Sequence, residues 1–182
     1  MAERYQQFFL VALGETILVA GLAYSHNPFS PPRTAAFAAA IVTSVLLWRI
    51  YVRRAGQILG EAVTKAAHPA AIGRSAADTH LVMVVGLVST AIGYELVLDH
   101  PLGHNHVTWI AMILGGPAIF LAGRARFEYE VFGRVSPSRW IAILVLLFLA
   151  PFLLHLAPLL SAAAAAVVLL AVAVADARRA WG

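Results

Sequence analysis

The sequence predicts an all-α fold: a polytopic membrane bundle of about six transmembrane helices, with both ends of the chain on the cytoplasmic side. Three observations predict it. Apolar residues make up 61% of the 182 positions and charged residues only 12%, against about 45–50% and about 25% in a soluble domain. A chain of this length cannot bury that much apolar surface away from water, so its solvent is lipid. Six stretches are apolar over the roughly 20 residues needed to cross a hydrocarbon core of about 30 Å. Basic residues then alternate between the segments that join those stretches, as orientation by the positive-inside rule requires.

The first span covers about 8–24. It is followed by Ser25-His26-Asn27-Pro28-Phe29-Ser30-Pro31-Pro32, a segment too rich in proline to continue a helix. One basic residue precedes this span, and Glu15 falls where a signal peptide would have its apolar core, so the span is expected to be retained. The second span covers about 34–51 and ends on Arg53-Arg54. An interfacial loop over 53–79 carries Arg53, Arg54, Glu61, Lys65, Arg74 and Asp78. Its simplest reading is an amphipathic helix on the membrane surface, broken at His68-Pro69.

The third span covers about 80–98 and closes on Asp99-His100-Pro101. The fourth, about 107–122, is interrupted by Gly115-Gly116-Pro117; proline inside a spanning helix needs protein or water partners for the backbone groups it frees. A charged loop is expected from Arg124 to Arg139. Spans five, about 140–156, and six, about 159–175, complete the set. Pro151 and Pro158 kink or end the fifth, and the sixth is almost wholly Ala, Val and Leu before Asp176.

Charge now orients the chain. Arg53, Arg54, Lys65 and Arg74 lie between spans two and three, Arg124, Arg126, Arg134 and Arg139 between four and five, and Arg178 and Arg179 after six. The opposite side holds Arg33 and most of the histidines. The net charge of +4 therefore sits beside apolar spans, and nucleic acid is not an expected partner. The absence of cysteine excludes disulfides, thiolate metal sites and cysteine nucleophiles.

The stretch Glu3-Arg4-Tyr5, followed by Phe8-Phe9-Leu10-Val11-Ala12-Leu13-Gly14-Glu15, resembles the signature of the bacterial low temperature requirement A membrane proteins. Arg53-Arg54-Ala55-Gly56, Gly93-Tyr94-Glu95-Leu96-Val97, His100-Pro101 and Gly115-Gly116-Pro117-Ala118-Ile119-Phe120-Leu121 continue the resemblance in order. It makes Glu3, Arg4 and Gly14 signature positions. It implies a multi-pass protein of the bacterial inner membrane, of poorly established molecular activity. Members carry a further membrane half before this block, so the chain looks like a C-terminal half. Gln6-Gln7 and Tyr94 depart from the pattern, Tyr94 standing where an acid is common.

Glu15 is the sharpest chemical candidate. It lies about seven residues into the first span, roughly 10 Å along a helix. An acid at that depth costs several kcal/mol unless it faces protein or water. It reads as a proton or cation site with Thr16 beside it, or as a hydrogen-bonded acid that holds helices together. Glu95 and Asp99 are four apart, and so share a helix face near the outer end of span three; Glu95 is expected to join Glu15 in one polar pathway. For Asp99 the preferred reading is an interfacial acid in headgroup water. His100, His104 and His106 lie in one outer loop, where imidazoles suit zinc, copper or nickel. His80 and His155 read as helix-end or packing residues, and Arg49 and Arg139 as snorkelling side chains.

No nucleotide cradle or nucleophile constellation is present, so an enzyme is not expected, nor a cofactor. The expected function is a transporter or proton/cation-conducting protein using Glu15 and Glu95, with Gly115-Gly116-Pro117 as hinge or cavity wall. The alternative is a non-transporting assembly or sensing subunit whose acids are structural. Expected partners are the lipid bilayer and either a second copy or the missing N-terminal membrane half.

Overall fold

The computed structural model describes the backbone of residues 2–26, 28–65 and 69–179, and the side chains of 6–26, 28–52 and 77–179. The described residues form helices and short connections. In chain order the helices are α1 (Ala2–Ser25), α2 (Pro31–Lys65), α3 (Pro69–Asp99), α4 (Val107–Ile113), α5 (Gly115–Phe132), α6 (Pro137–Leu153) and α7 (Pro158–Arg179). Helices alone suit these apolar runs, because lipid offers no partner for a backbone N–H or C=O. Five apolar spans of 20 to 26 residues are long enough to cross a membrane, and Pro137–Leu153 adds a shorter sixth. The chain is a helical membrane bundle.

Three stretches differ from the sequence expectation. The second helix does not stop at Tyr51; α2 continues to Lys65. Ala55, Gln57, Leu59, Glu61 and Ala62 are good helix formers, and proline does not intervene before Pro69. The side chains of 53–76, and all of 66–68, lie outside the described residues. The expected loop from Arg124 to Arg139 is instead helix as far as Phe132. Gly133, at φ 64°, ends it in the left-handed conformation, its N–H donating to Tyr129 O at 2.8 Å, as glycine commonly does just past a helix. Last, α6 ends at Leu153, two residues beyond its internal Pro151.

Helices α4 and α5 form one apolar rod, Val107–Phe132, with a turn only at Leu114. Leu114 N–H still donates to Ile110 O at 2.9 Å, and Leu114 O accepts from Ala118 N–H at 3.1 Å. Pro117 has no N–H to give, so Ile113 O lacks its intrahelical donor, and the local irregularity falls at the next residue, three before the proline.

The rod lies against α3 along a seam of glycines. A methyl added at Gly86 would stand 2.5 Å from Phe120 N, and one at Gly116 would stand 2.6 Å from both Thr90 N and Thr90 Oγ1. Gly93 meets Ile113, and Gly123 meets Met83, at 2.9 and 2.8 Å. Each helix thus places two glycines seven residues apart, and the order of contacts makes the pair antiparallel. Small residues allow this approach in a bilayer, where packing rather than water drives helix association.

Contacts at the helix ends sort the bundle into two poles. At one, Tyr24 stacks on Phe37 with ring centroids 4.7 Å apart. There Arg33 Nε donates to Leu98 O at 3.2 Å, and Asn105 Nδ2 reaches Leu153 O, Leu156 O and Ser161 Oγ, each at 2.9 Å. At the other pole Phe9 stacks on Tyr51 at 3.7 Å, Arg124 donates to Ile50 O, and Arg139 bridges α5 and α7. The start of α1 and the end of α7 both lie at this arginine-bearing pole. Phe9, Leu47, Leu87, Leu98, Phe120 and Leu169 form the buried core, while Phe8, Val11, Leu81, Leu144, Phe148 and Val167 point outwards. Apolar side chains on the outside are what a lipid solvent requires.

Candidate functional site

Glu15 and Thr16 are neighbours in sequence but point apart. Successive helical residues are turned by about 100°, which sends Thr16 into the α1–α2 contact and leaves Glu15 on the outward face. Thr16 is buried; its hydroxyl donates to Leu13 O at 2.7 Å and lies 3.2 Å from Ser44 Oγ. It serves packing between two helices rather than a site shared with Glu15. The Glu15 carboxylate makes no hydrogen bond or ion pair among the described residues. Gly14 beside it has open space where a side chain would go.

Glu95 and Asp99 of α3 line an open cleft of about 360 Å³ with Val19, Leu22 and Ala23 of α1 and His26 just past its end. Val19, Leu22 and His26 follow Glu15 by four, seven and eleven residues, the spacing of one helical face. Glu95 and Asp99 thus border the groove near the pole, and Glu15 lies deeper on the α1 face that continues from its wall. The Glu95 carboxylate makes no hydrogen bond or ion pair among the described residues. Arg33 stands beside this end of α3 and donates to the carbonyls of Leu98 and Asp99, at 3.2 and 3.4 Å. A cation at a helix C-terminus satisfies carbonyls that lack an intrahelical partner. That explains the arginine on the pole otherwise occupied by histidine and acid.

The neighbouring Tyr94 turns inward. It is buried and shares a 2.5 Å hydrogen bond with Thr43 Oγ1 of α2, so the position where an acid is common holds a neutral phenol between two helices. Of the three loop histidines, His100 and His106 lie against Trp109, with ring centroids 5.5 and 5.1 Å away, while His104 is exposed. Among the described residues no three of His, Asp and Glu gather as a metal would need. His80 is buried, its Nε2 lying 3.1 Å from Tyr51 Oη, and its ring meets Phe127 edge-on. Glu3 and Arg4 lie on the first turn of α1, with side chains outside the described residues.

The densest polar cluster lies at the other pole, and the sequence reading missed it. Arg139 does not snorkel; it is 2% exposed. Its Nη2 donates to Glu128 Oε1 at 3.1 Å and to Asp176 Oδ2 at 2.5 Å. Ser136 N–H donates to Glu128 Oε2 at 3.1 Å, and Arg179 donates to Asp176 Oδ1 at 3.1 Å and to Ser138 Oγ at 2.5 Å. Arg124, 1% exposed, lies 3.8 Å from Glu128 and 5.3 Å from the centre of the Phe127 ring. The spacing that betrays this cluster is Arg124 to Glu128 and Arg126 to Glu130, both four apart. Opposite charges at that interval favour helix over loop.

Comparison with known proteins bears on the whole chain. The model of the family described as bacterial low temperature requirement A protein (LtrA) matches residues 1–174. The chain belongs to the LtrA family. It is also 32% identical over 138 residues to an uncharacterized protein of Rhizobium meliloti (strain 1021), a match covering 75% of this chain and 34% of that relative. The chain thus spans about a third of the length of the curated relative it matches. No solved structure matches. LtrA membership and the apolar helices together identify a multi-pass bacterial membrane protein, and the groove between α1 and α3 contains the Glu95 position of the resemblance.

Proposed function

We propose that this LtrA protein is a transporter-like, proton- or cation-handling module of the bacterial inner membrane, with Glu15, Glu95 and Asp99 as its acidic groups. One observation carries the reading: Glu95 and Asp99 open into one cleft with His26, on the helix face that also bears Glu15. A carboxylate at membrane depth is ordinarily stabilised by protein or water and marks an ion or proton path. The groove is open at the side of the bundle, so a further membrane segment or a second copy completes its wall. The arginine-bearing pole faces the cytoplasm in this reading, because basic residues are retained there. The His26–Asp99 pole then faces outward, and Glu95 stands between outer water and Glu15.

A second reading has its own support. Glu15 carries no bond among the described residues, and Gly14 leaves room beside it. A polar group and a small residue on one lipid-facing stripe also suit helix–helix assembly. The two readings separate in proteoliposomes. Transport predicts that Glu15→Gln and Glu95→Gln each lower proton or cation flux at least ten-fold, with the protein still folded. Equal flux in wild type and Glu15→Gln removes the transport reading, and loss of folding or of self-association in that variant favours the second.

A further inference from the structure

At the arginine-bearing pole, α5, α6 and α7 leave an open cleft of about 550 Å³, its walls including Glu128, Phe132, Arg134, Ser136 and Arg179. It lies on the opposite pole from the α1–α3 groove, and the proposed ion path does not use it. Its charge is unbalanced. Four guanidinium groups, of Arg124, Arg134, Arg139 and Arg179, stand around two carboxylates, Glu128 and Asp176. The two carboxylates are already engaged: Glu128 by Arg139 and the Ser136 N–H, Asp176 by Arg139 and Arg179.

Donors outnumber acceptors in the same place. Arg124 Nη1, Arg139 Nε and Arg139 Nη1 are buried without a hydrogen-bond partner among the described residues, whereas the large majority of buried side-chain polar atoms have one. Arg134 is exposed on the cleft wall and forms no ion pair among the described residues. The position in the bilayer is equally specific. Tyr129 and Trp140, 63% and 54% exposed, and the partly exposed Phe132 flank this end, and aromatic side chains of that kind settle at headgroup level.

We propose that this cleft binds a phosphate group, held by Arg134 and Arg179, with the buried Arg124 and Arg139 supplying fixed positive potential behind it. The phosphate chemistry is shared by two sources, the headgroup of an anionic lipid and free phosphate. Cytoplasmic-side basic pockets between membrane helices are suited to anionic headgroups, and guanidinium groups to phosphate oxygens.

The test uses the full chain purified in detergent and follows thermal unfolding while phosphatidylglycerol, phosphatidylcholine or inorganic phosphate is added. Phosphatidylglycerol is expected to raise the unfolding temperature and phosphatidylcholine to leave it unchanged. Arg134→Gln, which removes no hydrogen bond or ion pair among the described residues, is expected to weaken the phosphatidylglycerol response about five-fold. Arg178→Gln, at the same pole but not on the cleft wall, is expected to keep it. A shift reproduced by inorganic phosphate, with no further gain from phosphatidylglycerol, supports the phosphate site and names free phosphate as its source. Equal responses to the two lipids, an unchanged response in Arg134→Gln, or an equal loss in Arg178→Gln would overturn the proposal.

Discussion

Arg139 of α6 and Glu128 of α5 form an ion pair 3.1 Å long with both side chains almost wholly withdrawn from the surface. Asp176 of α7 closes on the same guanidinium nitrogen, so one arginine joins three helices. Removing one partner of a buried pair strands the other, at a cost of about 3–5 kcal/mol. Arg139→Gln is expected to lower stability by that order in a reversible unfolding assay in detergent. A loss below 1 kcal/mol would assign this pair the small worth of an exposed one.

The glycine seam predicts a contrast between adjacent positions. Gly116→Ala drives a methyl into the Thr90 backbone, whereas Gly115→Ala meets nothing within 4 Å. Overpacking of that kind costs about 1–3 kcal/mol, while alanine in an open helical position is neutral or mildly favourable. Thermal unfolding of the two variants side by side measures the difference. Equal midpoints would mean that α3 and α5 part easily.

Thr16 and Glu15 are expected to separate stability from flux. Thr16→Val loses the Leu13 and Ser44 contacts and is expected to cost about 0.6 kcal/mol, the average for such bonds between membrane helices, with flux unchanged. Glu15→Gln is expected to do the reverse. Thr16→Val with wild-type stability and lost flux would place the hydroxyl in the ion path instead.

Asn105 gathers three acceptors from the ends of α6 and α7 with one amide nitrogen. Asn105→Leu leaves those carbonyls and the Ser161 hydroxyl without their donor, and about 1–3 kcal/mol is expected to be lost. Hydrogen exchange should rise first at 153–161. An unchanged exchange rate there would show that the connection holds without the asparagine.

The apolar spans were legible in the sequence because hydropathy is a sum, and a sum does not depend on neighbours. Arg124 to Phe132 was misread for the same reason: each charge counts against a helix whether or not it is paired, and Arg124 and Arg139 meet the Glu128 carboxylate only once folded. Periodicity put Glu95 and Asp99 on one face, but that Val19, Leu22 and His26 lie opposite required the α1–α3 packing. Gly86, Gly93, Gly116 and Gly123 are visible as two pairs seven apart, yet nothing local says that one pair meets the other. Tyr94 turns inward because Thr43 is there to receive it.

The antiparallel glycine pairs of α3 and α5 also act as a vernier. Sliding either rod by one turn would set the bulk of Phe120 or Met83 against backbone that only a glycine tolerates. The next matching register lies a full seven residues away, about 10 Å of travel at 1.5 Å per residue. Gradual shear between these two helices is therefore opposed by steric contact at every intermediate register. The acidic groove has one wall on α1 and the other, bearing Glu95 and Asp99, on this interlocked pair, so the register that the glycines fix also fixes where those two acids stand.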